Sequence, residues 1–350
     1  MKILFIDLNT RLKSITDLDS HARGGMITSL FKVSDALSQM HSVTVLSDIK
    51  RGGVTAKGTS WVNAEMFDYR QLFDVLVSNR GAGEGWPGII AKKRVLWTHD
   101  LPHSGFAVHP KVLRQYSRVV FMSKYAERVW RTVFKEIGKS TLIPNGVDKK
   151  LFQPRAKGNG FLIYASAPNR GLKRLPLIFE AIKSRVSGAV FMRAYSNMGK
   201  LHPGEVLDAE KDGYSLDYKN AMDAGIEMYD PIPQEKLAVE LGQAGLMILP
   251  TDYPEICSNI ILQSLACGTP VITTGNLGSA GEWIKHRKNG MLTKYHPVDY
   301  MVHTIEIVRN AIEVLNNRNL HEKMIRNAAK TKILTWEQVG QKWHKMIGGL

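Results

Sequence analysis

The sequence predicts an α/β protein of two domains, each built on a doubly wound parallel sheet. Length is the first reason: 350 residues is about two domains' worth of chain at roughly 150 residues each. Alternation is the second: short apolar runs are separated by amphipathic segments, the pattern of strand–helix–strand units. The third is evenness, since no repeat, low-complexity run or long linker interrupts that pattern.

In chain order, KILFIDL, SVTVLS, DVLVS, RVLWT, RVVFM and STLIP read as strands of the first domain. The helices between them are clearest at 25–40 and 123–138. Strands of the second domain are FLIYAS, AVFMRA, GIEMY, GLMILP and PVITT, with helices near 173–186, 234–244, 257–266 and 298–316. The boundary is expected just after IPNGVDKKLFQP, where Asn-Gly and a late proline break the periodicity, giving domains at 1–154 and 155–334. Residues 335–350, beginning TWEQVGQKWHKMI, read as a separate last helix expected to cross back to the first domain.

Composition is 44% hydrophobic and 23% charged, which excludes a disordered or collagen-like chain. The longest stretch without a formal charge, Ile256 to Gly281, holds too many polar residues, glycines and prolines to be a membrane span. The opening MKILFID meets an aspartate at position 7, too early for a signal peptide, so a cytoplasmic protein is expected. Two cysteines, Cys257 and Cys267, give neither a disulfide framework nor a four-ligand zinc site, and no metal site is expected. The formal charge is +15, and it is uneven. Residues 1–150 hold 23 basic and 13 acidic side chains, a net of +10, which points that half towards an anionic partner such as a lipid surface, a phosphate-rich polymer or DNA.

Ligands of doubly wound sheets bind outside the carboxyl ends of the strands, so residues just after strands are the candidates. TDYPEICSNIILQSLACGTPVITT, 251–274, follows one strand, runs through a helix and enters the next. Glu255 falls in the strand-to-helix loop, where backbone N–H groups and the helix dipole favour anionic ligands. Gln263, eight residues on, is expected about two helical turns later on the same face. SAPNRGLKRL, 166–175, places Arg170 and Lys173 at a second strand-to-helix junction, where two cations can stabilise negative charge on a ligand. Gly24-Gly25 precedes an amphipathic helix and leaves room for a ligand to approach the backbone. His99-Asp100 closes the strand RVLWT. In SKYAERVWRTVFKEIGK, Lys124, Arg128, Arg131, Lys135 and Lys139 recur at helical spacing as a basic stripe behind the N-cap Ser123; a solvated face and an anion-binding face are both open readings.

The 251–274 segment resembles the E-x7-E motif of the group-1 family of retaining GT-B glycosyltransferases, including its tail A-C-G-T-P-V-I. Gly24-Gly25, STLIPNGVDKKLFQP and GSAGEWIKHRKNGML are similar to further family segments and come in the same order, so the resemblance covers nearly the whole chain. It implies two Rossmann-like domains facing across a cleft, acceptor side first and nucleotide-sugar side second. It also implies metal-independent, retaining transfer of a hexosyl or related sugar from a nucleotide diphosphate donor to a hydroxyl, with no cofactor beyond that donor substrate.

On that resemblance Glu255 contacts the donor sugar, as does His99. Gly25 and Ser258 line the donor, and Arg170 takes the place of the family's diphosphate-binding lysine. The family arginine that precedes that lysine falls at Ala165 or Ser166, leaving Lys173 as its candidate substitute. The second motif glutamate, which binds the ribose, is Gln263 here; glutamine keeps acceptor capacity but loses charge. The leading acceptor is a cell-envelope glycan or lipid-linked sugar, with the stripe against anionic lipid at the inner membrane face. A phage-type enzyme that glycosylates a modified base in DNA is the second reading, and a non-catalytic sugar-nucleotide or polymer-binding relative the third.

Overall fold

A computed structural model describes every residue except 17–23, 82–85, 87, 103–109, 136, 158–160 and 202–212. The chain divides into two compact units, Met1–Gly146 with Leu334–Leu350, and Val147–Ile333. The first division falls eight residues before the expected position at 154. Val147 and Phe152 are buried in the second unit, and Pro154 packs near Gly268, so the segment after the Asn-Gly turn already belongs to the second core.

The first unit holds β1 (Lys2–Ser14), β2 (Ser42–Arg51), β3 (Gly53–Val54), β4 (Ser60–Asn63), β5 (Leu72–Asn79), β6 (Ile90–Trp97), β7 (Arg118–Phe121) and β8 (Ser140–Leu142). Their order across the sheet is β3-β4-β2-β1-β5-β6-β7-β8. Every pair is parallel except β3 with β4. β1 is longer than KILFIDL because it resumes pairing with β2 after a register shift between Asp7 and Arg11. The chain order reverses at β1, so the crevice of this sheet lies between the carboxyl ends of β1 and β5.

The second unit holds β9 (Phe161–Ala165), β10 (Phe191–Tyr195), β11 (Glu227–Tyr229), β12 (Leu246–Leu249), β13 (Val271–Thr274) and β14 (Gly290–Thr293), in the order β11-β10-β9-β12-β13-β14. All its pairs are parallel. This is the 3-2-1-4-5-6 order of a dinucleotide-binding sheet, with its reversal between β9 and β12. Strands buried on both faces explain the unbroken runs FLIYA, LMIL and VITT, which carry no alternating polar face.

The last helix, Trp336–Gly348, starts with a capping box in which Thr335 and Gln338 exchange side-chain and backbone bonds. It belongs to the first unit. Trp343 is fully buried against Phe5 and Trp97, with ring centroids 6.0 and 5.0 Å away. Gly340 lies over Ala36 of the helix Gly25–Ser38, where an added Cβ would come within 2.6 Å of the alanine methyl. The helices pack that closely because this position has no side chain.

Lys157 does a comparable job in the second unit. Its Nζ donates to the carbonyls of Gly242 at 2.8 Å and Cys267 at 2.9 Å, and to Thr269 Oγ1 at 2.6 Å. One ammonium therefore caps the carboxyl ends of the helices Gln234–Gln243 and Asn259–Ala266, where unpaired carbonyls concentrate negative potential. Replacing Lys157 by methionine leaves those carbonyls without their donor. Urea denaturation should register a loss of about 2–4 kcal/mol, since bonds to a charged donor contribute about 1.5–3 kcal/mol each and act here as a group.

Candidate functional site

The best-formed polar cluster of the second unit sits at its sheet reversal. β9 ends at Ala165 and is followed by the 3-10 turns Pro168–Arg170 and Leu172–Arg174; β12 ends at Leu249 and is followed by the loop 250–258. Between the two turns Gly171 has φ +99°, and a Cβ there would strike the Pro250 carbonyl. Gly278, at φ +88°, lies against the backbone of Glu255, where a Cβ would come within 2.7 Å of the carbonyl oxygen. Both glycines are required twice over, for a left-handed φ and for the space.

Seated this way, the loop brings Glu255 to Arg170. Arg170 Nε donates to Glu255 Oε1 at 2.5 Å, and the guanidinium lies 3.5 Å from the centroid of the Tyr253 ring. The two side chains are 18% and 20% exposed, so the pair is partly screened and still open to a ligand. Lys173 is on the second turn, solvent-exposed, and no hydrogen bond or ion pair joins it to this group. Next to it in sequence, Arg174 is buried and bonded to Pro250, Asp252 and His303.

The expected helical stacking of Glu255 and Gln263 is not what the fold contains. The helix begins only at Asn259, because residues 250–258 are tied down as a loop by Gly171, Gly278 and the bond from Ser279 N–H to the Glu255 carbonyl. Gln263 is therefore the fifth residue of its helix and is buried, its Nε2 donating to Gln234 Oε1 at 2.6 Å. Ser258 occupies the N-cap position, but its hydroxyl makes no capping bond. Cys257 and Cys267 are buried, and burial pushes the Cys267 thiol up to about 12.

In the first unit the reversal between β1 and β5 also gathers polar groups. Asn79 Nδ2 donates to Asp7 Oδ2 at 3.2 Å, and both residues are buried. Arg80 follows with φ +72° and donates to Asp100 at 2.6 Å. Trp130 Nε1–H donates to the Asp100 carbonyl at 2.9 Å. His99, after β6, lies 4.4 Å from the Trp97 ring with the two planes tilted by 54°, and its Nε2 is buried with no hydrogen-bond partner among the described residues. Burial, with the charge of Arg80, pushes His99 down to about 3, so its imidazole is neutral at physiological pH. Gly25 begins the helix Gly25–Ser38; its neighbour Gly24 has φ −59°, a value open to any residue, so no left-handed turn requires glycine at 24.

The basic stripe is shorter than its spacing suggests. Ser123 caps the helix as expected, accepting from Ala126 N–H, but the helix runs only from Lys124 to Val133. Phe134 leaves it to bury its ring against Trp130, so Lys135 and Lys139 lie beyond the helix; residue 136 is outside the described residues. Arg131 bonds Glu127 at 3.0 Å and Ser140 at 2.7 Å, so one of the five cations is already paired with an acid. Arg128 lies over the Tyr125 ring. No group of three or more His, Cys, Asp or Glu placed to hold a metal occurs among the described residues.

Sequence reasoning missed Arg174, Asp252, Tyr253, His303 and Gln234 in the second unit, and Asp7, Asn79 and Arg80 in the first. Asp7 and Asn79 were findable, as polar residues at the ends of apolar strands that flank a reversal. His303 carried no signal, being one more polar residue in an amphipathic helix. It is fully buried, and burial beside Arg174 pushes it down to about 4. The unfolded chain, with a pKa near 6.5, takes up a proton between pH 6.5 and 4 that the folded unit does not, so stability falls as pH drops through that window. Urea melts at pH 7 and 4 should differ by about 2–3 kcal/mol more in the parent chain than in His303→Gln.

With this geometry established, the chain can be set beside known proteins. Residues 210–331 match the family model for glycosyl transferases group 1. Sucrose-phosphate synthase from Thermosynechococcus elongatus superposes with a TM-score of 0.74 at 16% identity, covering 100% of this chain and 98% of that one. Anabaena HepE, solved with UDP and glucose, gives 0.70 at 16% identity with 100% of both chains covered. An exopolysaccharide phosphotransferase of Streptomyces coelicolor is 24% identical over 144 residues, which is 39% of this chain and only 15% of that relative's length. The chain thus has the GT-B fold, and its second unit carries the match to the group 1 glycosyltransferases.

Proposed function

We propose that this chain transfers a sugar from a nucleoside diphosphate sugar to a hydroxyl acceptor, with retention at the anomeric carbon and without a metal ion. The observation that carries the reading is the Arg170–Glu255 pair at the reversal of the second sheet. A diphosphate exchanges with Glu255 for Arg170, and a sugar hydroxyl then takes up the freed carboxylate. The bond from C1 to the diphosphate oxygen breaks, C1 bonds the acceptor oxygen on the same face, and the acceptor's proton passes to the departing diphosphate. Arg170 stabilises the charge that develops there. Lys173, exposed on the second turn, is the second cation for the diphosphate. Gln263, with Gln234, holds the ribose hydroxyls through neutral amides. Gly25 and Ser258 admit the ligand to the backbone of two helix starts.

His99 supplies a neutral imidazole for a hydroxyl of the sugar, and its lowered pKa makes it a hydrogen-bonding group, not a general acid. The acceptor is a cell-envelope glycan or lipid-linked sugar, a choice supported by the exopolysaccharide name of the Streptomyces relative and by the formal charge of +15. Lys124, Arg128, Arg131 and Lys135 are the cations of the first unit offered to an anionic lipid surface at the inner membrane face, Arg131 in a pair with Glu127. A peripheral cytoplasmic enzyme fits these features.

A panel of nucleoside diphosphate sugars tests the reading, starting with UDP-glucose because HepE was solved with it. Donor turnover should survive EDTA. Glu255→Gln should lower it by about 10²-fold, as expected for a lost preorganised contact, with little change in melting temperature. Parental turnover in that variant would remove Glu255 from the site. Gln263→Glu should bind UDP as tightly as the parent or more tightly, because a charged acceptor strengthens a hydroxyl bond by about 1 kcal/mol while desolvation offsets part of that. Weakening beyond tenfold would mean that the amide N–H donates to the ligand.

A further inference from the structure

We propose that Arg174 is a positioning residue for this reaction, fixing the Glu255 loop against the turn that carries Arg170; the inference rests on the functional reading given above. Arg174 is 5% exposed, and a guanidinium so deep in a protein is costly unless bonded. Two of its three bonds go to the Glu255 loop and the third to a helix behind it. Nη1 donates to the Pro250 carbonyl at 3.2 Å and to His303 Nδ1 at 2.9 Å, and Nη2 donates to Asp252 Oδ2 at 2.8 Å. Arg170 lies four residues before it, and Glu255 three residues after Asp252. One side chain thus clamps together the two segments whose charged groups must meet the donor.

The other side of the clamp closes on the same loop. With Nδ1 accepting from Arg174, His303 carries its proton on Nε2 and donates to Thr293 Oγ1 at 2.9 Å, with Thr274 Oγ1 at 3.1 Å. Thr274 in turn donates to the Thr251 carbonyl, and Thr293 to the Thr273 carbonyl. Pro250 and Asp252 are held by Arg174 from a turn, and Thr251 by Thr274 from a strand, all of the same unit. Beyond Asp252 the loop continues through its own short bonds, Tyr253 N–H to Thr251 Oγ1 and Glu255 N–H to the Tyr253 carbonyl. Arg174 Nε is buried without a partner among the described residues, so an apolar residue would fill this core position more cheaply. What an apolar residue lacks is the fork that fixes three acceptors at once.

The test compares Asp252→Asn, Arg174→Lys and Arg174→Met with the parent chain, using whichever panel donor the parent turns over, with UDP as the binding probe. Asp252 is 27% exposed, so its isosteric amide is the variant least able to upset the fold. Misplacing a catalytic group by about 1 Å is enough for a 10²-fold loss. Asp252→Asn should lower kcat by about 10-fold and Arg174→Lys by about 10²-fold, while the Kd for UDP, which has no sugar for Glu255 to orient, stays within about threefold. Loss of UDP affinity and melting temperature in step with kcat would make Arg174 a folding element only and overturn the proposal. Unchanged kcat in Asp252→Asn and Arg174→Lys would overturn it as well. If the parent itself turns over no donor in the panel, the functional reading fails and the inference falls with it, which distinguishes that failure from the other two.

Discussion

The loop from Pro250 to Glu255 can lie where it does only because two residues pressed against it have no side chain. A methyl group at Gly171 would collide with the Pro250 carbonyl, and one at Gly278 would collide with the backbone of Glu255. Both positions also have positive φ, where other residues are strained. That seating decides the rest of the second unit's chemistry. It stops the following helix from starting before Asn259, brings Glu255 to Arg170, and places the Pro250 carbonyl and Asp252 within reach of Arg174.

The two units solve one topological problem with different chemistry. Each reverses its strand order next to its first strand, and each collects polar side chains at the carboxyl ends that flank the reversal. In the second unit those groups are charged and partly open, Arg170 with Glu255 over Tyr253. In the first they are a buried Asp7–Asn79 pair, an Arg80–Asp100 ion pair, and a histidine that burial keeps neutral. The last helix belongs to this arrangement. Trp343 packs on Trp97, and Trp97 is the ring on which His99 rests. A residue 244 positions after the histidine therefore supports it, through one aromatic contact at each step.

Motif spacing was informative where the chain is regular and misleading where a loop intervenes. Counting eight residues from Glu255 to Gln263 as two helical turns assumes that the helix includes both, whereas four loop residues, Glu255–Ser258, come first. The basic stripe fails in the same way. Its spacing holds as far as Val133, after which the burial of Phe134 against Trp130 takes Lys135 off the helix. Arg131 pairs with Glu127 one helical turn before it, so one of the cations of the stripe is engaged within its own helix.

By itself the sequence determined the two α/β units, eleven of their fourteen strands, the separate last helix, and the junctions where Arg170, Glu255 and His99 fall. These follow from local causes: apolar runs that must be buried, prolines and glycines that break them, and the rule that a strand's carboxyl end opens on the crevice. Tertiary structure decided the partners. That Glu255 pairs with Arg170, that Gln263 turns to Gln234, and that Arg174 is buried on Asp252 and His303 depends on contacts between residues 29 to 129 positions apart. Such contacts are fixed by strand order and by which glycines let two backbones touch. Neither is encoded in the spacing of residues along one segment, so each could be read only once the sheet had been assembled.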